Sequence, residues 1–270
     1  MMKKKLGFIG GGHITQALIG GIVKSKIILP ANIYLYDCNL KKMQSLHKEY
    51  GINLTFSEQE VSEHANILFL AVKAPVILNI LKNKITHLDT DLLVVSLATG
   101  ISLQVLASLI GDNRKIIRVM PNLPVLVREG MISITPNTLV TERDLQELVN
   151  IFNSIGRTAV VPEKLIHTVV GVSSSAPAYV YMFIEAMADA AVLSGMSRNQ
   201  AYQFTAQAVK GAAQMVLETN QHPAVLKDEV CTPQGTTIEA IKCLEKKGLR
   251  GAVMDAIHAC IQKSVKISSQ

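Results

Sequence analysis

Residues 5–15 read Lys5-Leu6-Gly7-Phe8-Ile9-Gly10-Gly11-Gly12-His13-Ile14-Thr15. A short apolar strand runs straight into three glycines, and Ala17, Leu18, Ile19 and Ile22 follow in a helical pattern. Strand, glycine turn and helix in immediate succession form the first half of a βαβ unit that holds a dinucleotide. Gly10 permits the tight turn. Gly12 has no Cβ, so a pyrophosphate can approach the backbone, where the helix-start N–H groups and the positive end of the helix dipole hold it. The third small position of the pattern is Thr15, so the motif is matched at two positions of three. By itself the motif also fits a glycine-rich turn with no ligand.

The following segment narrows the choice. A second strand, residues 32–36, runs into Asp37, 25 positions beyond Gly12. A carboxylate there accepts hydrogen bonds from an adenosine ribose and repels a 2′-phosphate, which argues for NAD over NADP. Lys41 and Lys42 stand close enough in sequence to reach a phosphate and blur that preference.

Strand-like apolar runs recur at 5–10, 32–36, 67–72, 92–97, 116–119, 131–135 and 158–161, with helical patterns such as 14–24, 75–82 and 103–109 between them. This alternation predicts an α/β fold, a doubly wound and mostly parallel Rossmann-type sheet with helices on both faces. Ligands in such sheets lie beyond the carboxyl ends of the strands. That singles out Ala71-Val72-Lys73-Ala74-Pro75, Ser96-Leu97-Ala98-Thr99-Gly100 and Met120-Pro121-Asn122-Leu123-Pro124. From about Pro162 the strand signal stops. Helical patterns rich in Ala and Met follow at 179–195, 198–219, 223–230, 237–247 and 251–266. The expected division is a dinucleotide-binding domain over 1–162 and an all-helical substrate-binding and dimerisation domain over 163–270.

Composition limits the function classes. An apolar fraction of 49% against 18% charged leaves a surplus that suits an oligomer interface. The net charge of +6 is scattered, without basic runs interleaved with aromatics, so nucleic acid is not the expected partner. Four cysteines without C-x-x-C spacing read as reduced thiols of a cytoplasmic protein, and no metal-ligand pattern is present. Residues 165–184 carry no formal charge over a membrane-span length. Yet His167, Thr168, Ser173, Ser174, Ser175 and Pro177 would be costly in lipid, so a buried or dimer-facing helix start is expected there.

The helical half offers two stretches that could hold a substrate. In Ser173-Ser174-Ser175-Ala176-Pro177 small residues precede a long helix, and in Cys231-Thr232-Pro233-Gln234-Gly235-Thr236-Thr237 backbone N–H groups and adjacent hydroxyls open another. Each also fits an ordinary helix cap. No lysine stands between Lys164 and Lys210, where alcohol dehydrogenases of similar layout often carry an acid–base lysine. Reduction of a C=N bond demands less, because the imine nitrogen can arrive protonated and a hydroxyl can orient it.

Six motifs in order resemble the pyrroline-5-carboxylate reductase family over essentially the whole chain. They are Gly7-Phe8-Ile9-Gly10-Gly11-Gly12, Ala71-Val72-Lys73, Arg118-Val119-Met120-Pro121-Asn122, Pro177-Ala178-Tyr179, Leu226-Lys227-Asp228 and Gly235-Thr236-Thr237. The resemblance implies reduction of 1-pyrroline-5-carboxylate to L-proline with NADPH or NADH. It also implies a homodimer, or a higher homo-oligomer built from dimers, whose helices interleave and whose active sites form between subunits. Carried over by position, Gly10, Gly12, His13, Ile14, Ala71, Lys73, Pro75, Met120 and Asn122 lie along the cofactor, and Asp37, Val72, Ala98 and Pro121 at the strand ends are expected beside them. Thr232, Gly235, Thr236, Ser174 and Ser175 contact the substrate, and the Thr237 hydroxyl bonds the ring nitrogen. The chain departs from the family pattern at His13, Thr15, Ala74, Ser174 and Gln234, the last replacing a glycine. If that position needs a positive φ, Gln234 strains the turn by about 1 kcal/mol. Two other readings fit the same motifs: a reductase of another small cyclic imine or keto acid, and a non-catalytic dinucleotide-binding paralogue.

Overall fold

The computed structural model describes residues 3–268. They form two compact units: residues up to Ser175 together with those from Cys260 onward, and Ala176–Ala259.

The first unit is built on eight strands: β1 (Leu6–Ile9), β2 (Ile33–Tyr36), β3 (Asn53–Leu54), β4 (Ile67–Leu70), β5 (Leu93–Ser96), β6 (Lys115–Met120), β7 (Gly130–Pro136) and β8 (Gly156–Val160). Their order across the sheet is β3-β2-β1-β4-β5-β6-β7-β8. Strands β1 to β6 run parallel; β7 turns back antiparallel to β6 and carries β8 parallel to itself. The central strands β1, β4 and β5 are buried at every residue, as a sheet covered on both faces requires. Alternate side chains feed two cores. Leu6, Phe8, Phe69 and Val95 pack on one face, and Ile9, Leu68, Leu70 and Val94 on the other. Phe8 stacks on Phe69 with ring centroids 4.5 Å apart. Chain order reverses between β1 and β4, and the crevice above their carboxyl ends is where such a sheet takes a ligand.

Six helices cover this sheet: α1 (His13–Ser25), α2 (Leu40–Tyr50), α3 (Glu58–His64), α4 (Ala74–Asn83), α5 (Leu103–Ile110) and α6 (Glu142–Asn153). Helices α2, α3, α5 and α6 start on side-chain caps from Asn39, Ser57, Ser102 and Thr141. Helices α1 and α4 have none. Every expected strand is present within two residues of its expected bounds. The addition is β3, whose two residues are too few to show any periodicity and which is held by pairing with β2.

After β8 the chain makes a short helix, α7 (Ile166–Val169), and a π-turn over Val170–Ser174. A buried ion pair fastens this segment to the sheet. Arg118 on β6 is 4% exposed, and its guanidinium donates to Glu163 at 2.6 Å. The same carboxylate oxygen accepts the Leu103 N–H at the start of α5, at 2.8 Å. Removing Glu163 leaves a buried cation unpaired. With a side chain about a third exposed, water relieves part of that cost. Glu163→Ala is therefore expected to destabilise by about 2–3 kcal/mol, a fall of about 5–10 °C in Tm by thermal melt.

His167 sits beside this pair, with Nδ1 2.9 Å from the Ser264 hydroxyl. Burial first, and the Arg118 charge second, hold its imidazole below the ordinary value of 6.5. The unfolded residue takes up a proton near 6.5 and the folded one does not. The stability that His167 contributes is complete above that pH and is lost as pH falls below it. His167→Asn should flatten the dependence of Tm on pH between about 6.5 and 5.

The second unit contains α8 (Ala176–Leu193), α9 (Arg198–Thr219), α10 (Pro223–Val230), α11 (Thr236–Lys246) and the first half of α12 (Leu249–Ser268). Helices α8 and α9 pack together, yet only Ala188 on α8 and Ala201 and Thr205 on α9 are buried. Met182 is 71% exposed, Phe204 66% and Leu193 90%. The run Glu163–Leu193 is long and apolar enough to cross a membrane by length and composition, and only 6% of its apolar 18-residue window is buried. Single apolar residues on a surface are ordinary, but a whole helical unit with this much uncovered apolar surface marks an interface.

Candidate active site

A cleft of about 680 Å³ opens at the carboxyl ends of β1, β2, β4 and β5. Of the thirteen residues expected along a cofactor, nine line it: Gly10, Gly12, Ile14, Asp37, Ala71, Val72, Lys73, Pro75 and Ala98. The glycines differ in what they do. Gly10 has φ +104°, and a Cβ there would stand 2.5 Å from Val72 Cγ1 and 2.7 Å from the Ala71 carbonyl oxygen. It lets β1 pass close to the end of β4. A Cβ on Gly12 would meet nothing within 4 Å, so this glycine faces open space. It is the N-terminal cap of α1 and supplies no side chain to the helix start; Lys73 stands likewise before α4. Of the six helices that cover the sheet, the two without side-chain caps both begin at the cleft. The first N–H groups of α1 are available to phosphate oxygens, whereas α4 has Pro75 at its second position and its Val76 N–H already bonds the Lys73 carbonyl at 2.9 Å. These features fit a dinucleotide. Thr15, the third motif position, is fully buried with its hydroxyl unpartnered, packing where the pattern asks for a small residue.

Asp37 ends β2 at the rim of the cleft. One carboxylate oxygen accepts the Gly11 N–H at 2.6 Å and the other accepts the Asn39 N–H at 2.8 Å. Cys38 and Lys42 line the cleft beside it.

The other four expected cofactor residues are placed differently. His13 is exposed on the first turn of α1. Met120 is buried, with its sulfur 4.0 Å from the Thr99 hydroxyl. Pro121 follows it, half-buried. The Asn122 side chain is engaged on both ends, accepting the Met131 N–H at 2.9 Å and donating to the Ser173 carbonyl at 3.4 Å. Its side chain braces the π-turn against the end of β6. In that turn the hydroxyls of Ser173 and Ser174 are buried without partners, and Ser175 Oγ accepts the Cys260 thiol at 3.3 Å. A π-turn with orphaned hydroxyls is a costly local arrangement that often accompanies a site.

The remaining expected residues lie together in the second unit. Thr232 to Thr237 form a tight turn in which the Gly235 N–H bonds the Thr232 carbonyl at 3.0 Å, and α11 starts at Thr236 with no side-chain cap. A Cβ on Gly235 would collide with the Thr232 hydroxyl. Thr237 is half-buried at the second position of the helix. Such a helix start, with hydroxyls beside it, suits a carboxylate. Gln234 has φ +59°, the left-handed conformation its sequence context anticipated. A side chain there costs about 1–2 kcal/mol, offset in part by glycine's greater unfolded-state freedom. Because the turn has formed with Gln in place, Gln234→Gly is expected to raise stability by about 0.5–1 kcal/mol in denaturant melts and to leave kcat/KM within about threefold. A many-fold rise in kcat/KM would mark Gln234 as a catalytic handicap instead.

Residues 163–267 match the family model described as pyrroline-5-carboxylate reductase dimerisation, and residues 5–100 match that described as NADP oxidoreductase coenzyme F420-dependent. The pyrroline-5-carboxylate reductase of Escherichia coli strain K12 is 53% identical over 267 residues, covering 99% of each chain. The chain belongs to the pyrroline-5-carboxylate reductase family. The Methanosarcina acetivorans reductase is 37% identical over the full length of both chains. The solved Plasmodium falciparum reductase with NADP bound superposes with a TM-score of 0.90, at 33% identity and 99% coverage of each chain.

Three cleft residues lay outside the reach of the motifs, of which Val76 directly follows Pro75. Cys38 follows Asp37 directly and could have been found from its position. Ile267, in the last turn of α12, lines the cleft and stands beside Gly100. Nothing local marks a residue so far along the chain as part of a nucleotide cleft.

Proposed function

We propose that this member of the family reduces the C=N bond of 1-pyrroline-5-carboxylate to L-proline, the last step of proline biosynthesis. The reading rests on the family relationship over the full chain, and the cleft at the β1–β4 switch point agrees with it. NAD(P)H, when bound, supplies the hydride. The uncapped start of α1 would hold its phosphates, with Gly12 and Ile14 against the backbone of the cofactor and Val72, Lys73, Pro75 and Ala98 along the opposite wall. His13, Met120, Pro121 and Asn122 would complete the cofactor surroundings, Asn122 by bracing. The start of α11 at Gly235 and Thr236 would take the substrate carboxylate, with Thr232, Ser174 and Ser175 as further contacts. Thr237 would hold the ring nitrogen through its hydroxyl. No covalent nucleophile is needed: binding and orientation by these residues supply the protein's share of the rate.

In this reading residues 1–162 bind the dinucleotide and 163–270 bind substrate and associate. The association is homo-oligomeric, built from a homodimer over the uncovered apolar faces of α8 and α9. The run over 163–193 serves that interface rather than a membrane. The protein works in the cytoplasm, in keeping with four free cysteines, and takes no nucleic acid. Substrate profiling tests the assignment. Cofactor oxidation should be fastest with 1-pyrroline-5-carboxylate; faster turnover of another cyclic imine or of a keto acid would assign the site to that substrate instead.

A further inference from the structure

We propose that Asp37 makes this protein NADH-selective, set apart from its structural relative with NADP bound. This rests on the reading of the cleft as a dinucleotide site. The carboxylate is not a free surface group. It is held at both oxygens by backbone N–H groups, Gly11 at 2.6 Å and Asn39 at 2.8 Å. That fixes a full negative charge between the glycine turn and the end of β2, at the rim of the cleft. Oδ1 also takes the Cys38 thiol at 3.7 Å, and the lone pairs left on the carboxylate can accept ribose hydroxyl donors, whereas a 2′-phosphate brings more negative charge. Glu58 adds a second carboxylate near this corner. The Tyr36 phenol, one residue before Asp37, is pushed up first by burial and then by Glu58, with Cys38 and Asp37 adding to it.

The opposing group is Lys42. It lines the cleft, but it is an exposed side chain on a four-carbon stem in the first turn of α2. A mobile ammonium in water gains little from a phosphate compared with what a fixed carboxylate at the same corner loses. Lys73 also lines the cleft but belongs to the end of β4. Lys41, which the sequence left as a second candidate, does not line the cleft.

Equilibrium titration of the purified full-length protein with NADH and with NADPH, followed by cofactor fluorescence without substrate, tests this. NADH should bind at least about tenfold more tightly. Asp37→Asn removes the charge and keeps an acceptor for the Gly11 N–H, while its amide NH2 gives up the bond from the Asn39 N–H. It should improve NADPH binding and narrow the ratio by about tenfold or more. Asp37→Ser should narrow it further by also losing the ribose contact. Equal or tighter NADPH binding by the unaltered protein overturns the proposal, as does an Asn variant with an unchanged ratio. If NADPH wins and Lys42→Ala removes that advantage, Lys42 sets the preference. The titration needs no turnover. NADH-selective binding without imine reduction would leave Asp37's role standing and defeat the functional reading, and reduction with an NADPH preference would do the reverse.

Discussion

Gly12→Val is expected to raise the Kd for dinucleotide by at least about 100-fold while Tm stays within about 2 °C. The two halves of that expectation come from one observation: a Cβ at Gly12 meets no protein atom within 4 Å. The fold has no use for the missing side chain. Gly12 lies at φ −71°, a conformation valine also adopts, so backbone strain is not at issue. The empty space is the cleft, and an isopropyl group there blocks the approach of a pyrophosphate to the N–H groups of α1. Gly10→Ala provides the contrast. It forces a Cβ to 2.5 Å from Val72 Cγ1 at φ +104°, so it should lower stability and binding together. Titration and melting of both variants separate a glycine kept for ligand from one kept for the fold. Tight binding by Gly12→Val would place the dinucleotide elsewhere.

Thr237→Ala is expected to lower kcat by about 100-fold and leave the Kd for dinucleotide within about twofold. Thr237 lies at the second position of α11, and the cap of that helix is Gly235, so the helix does not depend on its hydroxyl. Alanine is the better helix former, and the fold should not suffer. What is lost is the hydroxyl proposed above to hold the imine nitrogen. Thr237→Ser, which keeps that group, should recover most of the rate, whereas the near-isosteric Thr237→Val should not. Loss of rate in Ser and Ala variants alike would point to packing by the methyl group.

The parts of this molecule that were legible in the sequence are those written in consecutive residues. The glycine turn, the carboxylate ending β2 and the segments after β4 and β5 each follow a strand whose apolar run is unmistakable. Sheet topology then carries them to one crevice. The loop from Thr232 to Thr237 was legible in the same way, including the strain at Gln234, because a turn's backbone demand is local. What escaped depends on pairings between distant residues. Strand β3 exists because β2 offers it an edge. The Arg118–Glu163 pair joins residues 45 positions apart, and His167 meets Ser264 across 97. Ile267 reaches the cleft only because α12 returns to the first unit at Cys260. Asn122 shows a subtler gap. Its motif was plain, but whether an amide faces a ligand or braces a neighbouring turn is decided by contacts with Met131 and Ser173 that no motif contains.

The most direct test of imine reduction is to supply 1-pyrroline-5-carboxylate with NADH or NADPH deuterated at nicotinamide C4 and to examine the product by mass spectrometry and NMR. The expected product is L-proline with one deuterium on the carbon of the former C=N bond. Folded, dinucleotide-binding protein that yields no labelled proline with either cofactor would contradict it.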